Sequence, residues 1–228
     1  MNSVINVGSF AGGDEWSAGS TFEVHDPGRL SELVGIVATA SASDVDSVVA
    51  IARRAQTSWA KVGVEERAAL LQHAAAELER ESENFAVLMT RENGSLLATS
   101  QEEIAGAATA LRNAAELGDA LLSEDETFAD GDSWLRIERR PYGVVGCIVP
   151  WSAPVILTVQ KIGPALVAGN SVIVKPSPFA PLAVSVLLRL FAGFFPPGII
   201  NVIHGDGGVG AALISHPGVR KVSFTVGL

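Results

Sequence analysis

PYGVVGCIVPWSAPVILTVQKIGPALVAGNSVIVKPSP, residues 141–178, decides how this chain is read. Two apolar runs, Gly143–Val149 and Ser171–Val174, have the Val/Ile composition of buried strands. Each ends abruptly, the first at Pro150-Trp151 and the second at Lys175-Pro176. Between them, residues 154–167 read as a helix. Continuous apolar runs joined by a helix predict parallel strands covered on both faces. In an open parallel sheet, ligands bind beyond the carboxyl ends of the strands. A tryptophan and a lysine placed there read as parts of a ligand site.

Toward the C-terminus the same alternation continues. Strands are expected near Ile199–Ile203 and Val219–Phe224, and helices near Pro181–Ala192 and Gly208–Ser215. Toward the N-terminus the pattern is helical. Ser43-Asp-Val-Asp46 has the form of a capping box, with Val45, Val48, Val49 and Ala52 at helical spacing. Val64-Glu65-Glu66 opens a second helix, Asn93-Gly94 ends a third, and a fourth runs from about Ser95 to Leu122. Before these, Phe22–Val24 and Leu33–Ala38 are short β-like runs around the turn His25-Asp26-Pro27-Gly28. Ser123–Asp132 is acidic and turn-prone, and Trp134–Arg139 alternates like a half-exposed strand. The fold class is α/β: an N-terminal helical layer followed by a parallel sheet with helices on both faces.

Composition narrows the function. The chain has 228 residues, is 48% apolar and carries a net charge of −9. That charge disfavours a nucleic-acid partner, which needs a dense Lys/Arg surface. The apolar run Leu182–Ile203 is interrupted by Arg189 and by Pro196-Pro197-Gly198. A buried helix followed by a strand is expected there, with no membrane span. Cys147 is the one cysteine and lies inside a strand, so it reads as a small buried hydrophobe and a poor nucleophile. No cationic and apolar leader opens the chain, and the expected compartment is the cytoplasm. The four histidines show no metal-ligand spacing, and no metal is expected.

Gly205-Asp-Gly207-Gly-Val-Gly210 matches G-x-G-x-x-G between a strand and a helix. It reads either as an ordinary strand-to-helix turn or as a pyrophosphate cradle. The acidic ribose partner expected ~20 residues on would fall beyond Leu228. Lys175, taken alone, reads either as a strand-end residue reaching solvent or as a ligand contact.

Taken together the motifs resemble the N-terminal half of the aldehyde dehydrogenases, in order from about Phe22 to Thr225. The matching pieces are Glu66-Arg67, Glu92-Asn93-Gly94, Pro141–Gly146, Val149-Pro150-Trp151, Pro164–Asn170, Lys175-Pro176, Pro196-Pro197-Gly198, Asn201-Val202, His216-Pro217 and Ser223-Phe224-Thr225. The resemblance implies an incomplete Rossmann-like region that binds NAD or NADP. Its cofactor-facing positions are Ile148, Val149, Pro150, Trp151, Lys175, Ser177, Gly207, Gly210, Phe224 and Thr225, with Lys175 on the adenine-side ribose. It implies three parts: residues 1–123, a hairpin at 124–141 like the family's oligomerisation strand, and the cofactor region 142–228. The parent reaction oxidises a small-molecule aldehyde to a carboxylate through a covalent thiohemiacetal and thioester.

Three departures qualify that reading. Ser152 stands where the family has an asparagine that donates to the developing oxyanion. Pro178 stands where an acidic residue is common; this removes a ribose acceptor and also repulsion against a 2′-phosphate, which leaves NADP open beside NAD. The family's nucleophilic cysteine and general-base glutamate lie downstream of Thr225, in chains roughly twice this length. The chain is therefore expected to lack the catalytic domain and turnover of its own. The alternative is a non-catalytic dinucleotide-binding or interaction subunit, as a homo-oligomer or paired with a full-length homologue.

Overall fold

The computed structural model describes residues 4–16, 19–122 and 126–225. Strands β1 (Ile5–Val7), β2 (Ser9–Ala11), β3 (Asp14–Trp16), β4 (Thr21–Asp26) and β5 (Arg29–Ala38) come first. Four helices follow: α1 (Asp44–Trp59), α2 (Val64–Arg80), α3 (Ser82–Asn93) and α4 (Leu97–Leu122). A hairpin, β6 (Glu126–Asp130) and β7 (Ser133–Ile137), leads into the alternating half. That half consists of β8 (Val144–Ile148), α5 (Pro154–Val167), β9 (Ser171–Lys175), α6 (Leu182–Ala192), β10 (Ile200–Val202), α7 (Gly207–Ser215) and β11 (Val219–Phe224).

The main sheet runs β11-β8-β9-β10-β2-β3. The first four strands are parallel, and β2 joins β10 antiparallel through Phe10 opposite Val202. The alternation expected after residue 141 is thus present, with helices on both faces. On one face Val145, Cys147, Val149, Val172 and Val174 pack with α5 and α6. On the other, Val144, Ile148, Ile173 and Ile203 pack with Val45, Val48, Val49 and Ala52 of α1 and with Val209 and Leu213 of α7. Such two-sided burial requires the unbroken Val/Ile composition of β8 and β9.

The carbonyls at the C-terminal end of α5, which have no partners inside the helix, are satisfied by side chains of α1 and α2. Trp59 Nε1 donates to the Leu166 carbonyl at 3.1 Å, Arg67 Nε to Val167 at 2.7 Å, and Gln56 Nε2 to Gly169 at 2.9 Å. Arg67 is buried at the negative end of the helix dipole, and burial lowers its pKa.

Two expectations fail. The capping box at Ser43 does not form: Ser43 is in the right-handed helical region and its side chain caps nothing. The Asp44 carboxylate turns back to accept from the Ser41 amide and hydroxyl, both at 2.7 Å, and Asp46 pairs with His216 at 3.1 Å. The strand around Trp134 is not half-exposed; all of β7 faces solvent, because among the described residues β6 and β7 pair with no other strand. The apolar run 182–203 divides into α6, the Pro-Pro-Gly turn and β10. Among the described residues no helix is long and apolar enough to cross a membrane. Nor do any three His, Cys, Asp or Glu side chains there gather as a metal site.

Candidate functional site

The carboxyl ends of three adjacent strands bring the expected residues into one row. Phe224 stands opposite Ile148, and Ile148 opposite Lys175. The pairing continues one step further, since the Val149 amide donates to the Lys175 carbonyl at 3.2 Å and the Thr225 amide to Ile148 at 3.2 Å. Trp151, 46% exposed, and Phe224, 56% exposed, flank the row. Lys161 of α5 donates to the Thr225 hydroxyl at 2.5 Å and fixes the end of β11.

Lys175 is the chemically distinctive member. It is only 7% exposed, and burial lowers its pKa, partly opposed by Asp206. Its stem lies over Gly210, where a β-carbon would stand 3.6 Å from Cδ and Cε. Among the described residues its Nζ makes one hydrogen bond, to the Pro176 carbonyl at a long 3.5 Å. An ammonium carries three donors, and a buried one left with donors to spare is costly. The ammonium therefore has donor capacity left for a further hydrogen-bond acceptor.

Helix N-termini are ready anion sites, but the three that open on this edge are already filled. Glu103 Oε1 accepts from Val155 and Ile156 of α5 at 2.8 and 3.1 Å. Glu92 accepts from Leu182 and from Ala183 of α6, the latter at 3.0 Å. Asp206 accepts from Gly208 and Val209 of α7 at 2.8 and 3.2 Å. Glu92 is fully enclosed and burial pushes its pKa up to about 7, against the pull of its two amide bonds; Glu103 moves in the same direction for the same reason. The amides of Val155, Ile156, Leu182, Ala183, Gly208 and Val209 are thus already bonded to carboxylates and are not free to take phosphate.

The remaining expected positions lie around this row. Ser152 is exposed, and the following Ala153 has φ 51°, a left-handed conformation that costs a non-glycine residue roughly 1–2 kcal/mol. Ser177 is half-buried and its hydroxyl accepts from the Phe179 amide at 3.3 Å. Gly207 is exposed with open space where a side chain would stand. Cys147 points away from the edge, into the core, and burial raises its thiol to about 12 despite the nearby Lys161.

The profile of the aldehyde dehydrogenase family matches residues 16–227. The chain belongs to the aldehyde dehydrogenase family. It is 41% identical over 198 residues to geranial dehydrogenase of Castellaniella defragrans, covering 85% of this chain and 41% of that protein. It is also similar to the solved NAD-dependent aldehyde dehydrogenase of Sinorhizobium meliloti, with TM-score 0.91 and 31% identity over 97% of this chain and 45% of that one. A third relative is the NADP-dependent glyceraldehyde-3-phosphate dehydrogenase of Bacillus halodurans, solved with NADP. Its TM-score is 0.90 at 29% identity, over 96% of this chain and 48% of that one. This aldehyde dehydrogenase chain thus spans less than half the length of each of these three, and its structural neighbours include one solved with nicotinamide adenine dinucleotide and one with NADP.

Several residues of the site carried no sequence signal of their role. Glu92 lies in the matched Glu92-Asn93-Gly94 piece, but nothing local connects it to α6, 90 positions away. Glu103 looks like a solvated helix acid. Asp206 was legible in principle, as an Asp directly before Gly-Gly-Val at a helix start.

Proposed function

We propose that these 228 residues form the dinucleotide side of an NAD(P)-dependent aldehyde dehydrogenase site and do not turn over an aldehyde by themselves. The observation that carries the first half is Lys175, a buried ammonium with unused donors at the carboxyl edge of a parallel sheet. Bound there, a nicotinamide dinucleotide supplies the hydride acceptor for oxidising an aldehyde to a carboxylate. Lys175 would donate to the ribose hydroxyls on the adenine side, between apolar walls from Ile148, Val149, Pro150 and Gly210. Trp151, Ser177, Gly207, Phe224 and Thr225 border the same cleft. Pro178 in place of an acidic residue removes repulsion against a 2′-phosphate, so NADP is accepted alongside NAD. Ser152 occupies the oxyanion-donor position with a hydroxyl of shorter reach.

The second half rests on Cys147, whose buried thiol at about 12 supplies no thiolate near neutrality. The chain divides into residues 1–123, the hairpin at 124–141 and the cofactor region 142–228, and is assigned to the reducing cytoplasm. Calorimetric titration with NAD and NADP tests the binding. No heat at millimolar cofactor would sink it. An aldehyde assay on the same protein tests the lack of turnover, which fails if cofactor is reduced beyond a heat-killed control.

A second reading is a subunit that associates with itself or with a full-length homologue. It is favoured by β6–β7, whose Phe128, Trp134, Leu135 and Ile137 are all exposed. Co-purification with a full-length relative would support it, and a monomer indifferent to that relative would remove it.

A further inference from the structure

We infer that Glu92 and Glu103 are positioning residues of the dinucleotide site, each holding one site loop through the first amides of the helix that follows it. The inference rests on the cofactor reading above. The loop that carries Trp151 and Ser152 runs directly into α5, and the loop that follows Lys175 runs into α6. A helix start is normally closed by the residue just before it, through a Ser, Thr, Asp or Asn side chain. Here those residues are Ala153 and Pro181, neither of which has a capping group. The closing carboxylates come instead from the helical layer, Glu103 from α4 and Glu92 from α3.

The contrast with α7 is informative. That helix is closed locally by its own Asp206 and owes nothing to another layer. For α5 and α6 the cap and the tether are one contact, so the layer that caps them also sets where the two site loops end. Asn93, adjacent to Glu92, adds a weaker link by donating to the Trp151 carbonyl at 3.4 Å. The end of α3 therefore reaches both loops at once, and Gly94 makes the turn there possible: φ is 79°, and a β-carbon would stand 2.9 Å from Pro27 Cγ.

Removing either carboxylate leaves two amides without partners at the mouth of the site, and the loop before them loses its anchor. The test uses the full 228-residue chain with Glu92→Ala, Glu92→Gln, Glu103→Ala and Glu103→Gln, and Glu79→Gln as a surface control. Hydrogen exchange is measured without cofactor over residues 149–160 and 176–187, and dissociation constants are measured for NAD and NADP. Each alanine variant is expected to exchange about tenfold faster in its own segment only, and to bind cofactor about five- to tenfold more weakly. The glutamine variants, which keep one acceptor, recover part of both effects. Where an alanine variant does not fold, its glutamine counterpart carries the comparison. Unchanged exchange in both segments overturns the inference, as does cofactor affinity within twofold of the parent in a folded alanine variant. If the parent binds neither dinucleotide, the functional reading falls, and the local exchange pattern alone decides the positioning role.

Discussion

The stem of Lys175 lies against Gly210 on α7, so the smallest residue in the chain sets how deeply the ammonium is buried. A β-carbon at Gly210 would meet Lys175 Cδ and Cε at 3.6 Å, which is ordinary van der Waals contact. Gly210 also lies inside α7, where glycine costs roughly 0.5–1 kcal/mol relative to alanine. Gly210→Ala should therefore stabilise the protein by about that amount, read by urea denaturation, with cofactor affinity retained. Gly210→Leu should displace Lys175 and weaken cofactor binding. Equal affinities for the two variants would show that the stem does not depend on this glycine.

Lys175 itself should trade stability for binding. Burial disfavours its charge, as the lowered pKa records, and its one hydrogen bond is long. Lys175→Met keeps the stem and removes the ammonium. The unfolding free energy should rise by about 1 kcal/mol while NAD and NADP affinity falls at least about tenfold. Loss of stability in this variant would mean that the ammonium is better satisfied in the free protein than its contacts indicate.

Two buried groups act against each other in the pH dependence of folding. Glu92 has its pKa raised to about 7, so its contribution is present below its ordinary carboxylate value and is lost as pH rises through about 7. His204 is held down to about 3 by burial and by the charges of Lys175 and Arg189. Its contribution is present above the ordinary imidazole value near 6.5 and is lost as pH falls toward 3. Its neutral ring donates from Nε2 to Ser185 at 3.0 Å, because the Ser185 hydroxyl proton is committed to the Pro181 carbonyl at 2.5 Å. Between about pH 4.5 and 6.5 the two contributions have opposite signs, so in the parent each masks the other. Glu92→Gln should expose a rise in stability with pH, and His204→Gln a fall. Urea titrations at half-unit steps decide it; parallel curves for the two variants would refute the opposition.

The parallel half of the fold was legible because its strands are buried on both faces and therefore spell themselves as unbroken Val/Ile runs. β2 and β3 were not, since three-residue strands have no period to read and β2 is placed by a single pairing of Phe10 with Val202. The site row was legible for a related reason: Lys175 and Phe224 close their strands and Trp151 follows one, and the carboxyl ends of parallel strands share one edge. What supports the row was not. Glu103 and Val155 are 52 positions apart and meet only because α4 packs along α5. The alternation around Trp134 misled, because a period of two reports a strand but not whether anything covers either face.

The hairpin carries the last expectation. Phe128 stands opposite Leu135 and Ala129 opposite Trp134, yet residues 127–140 are exposed throughout and Trp134 reaches 73% exposure. An isolated two-stranded ribbon is marginal in water, and clustered exposed aromatics mark a surface that another chain covers. The protein should therefore self-associate in a concentration-dependent way, read by sedimentation velocity. Trp134→Ser combined with Leu135→Asp should abolish that association and leave the thermal transition of the sheet and helical layer unchanged, since neither side chain contributes to the core. If the parent sediments as a single monomeric species at every concentration, the ribbon is not a self-association surface.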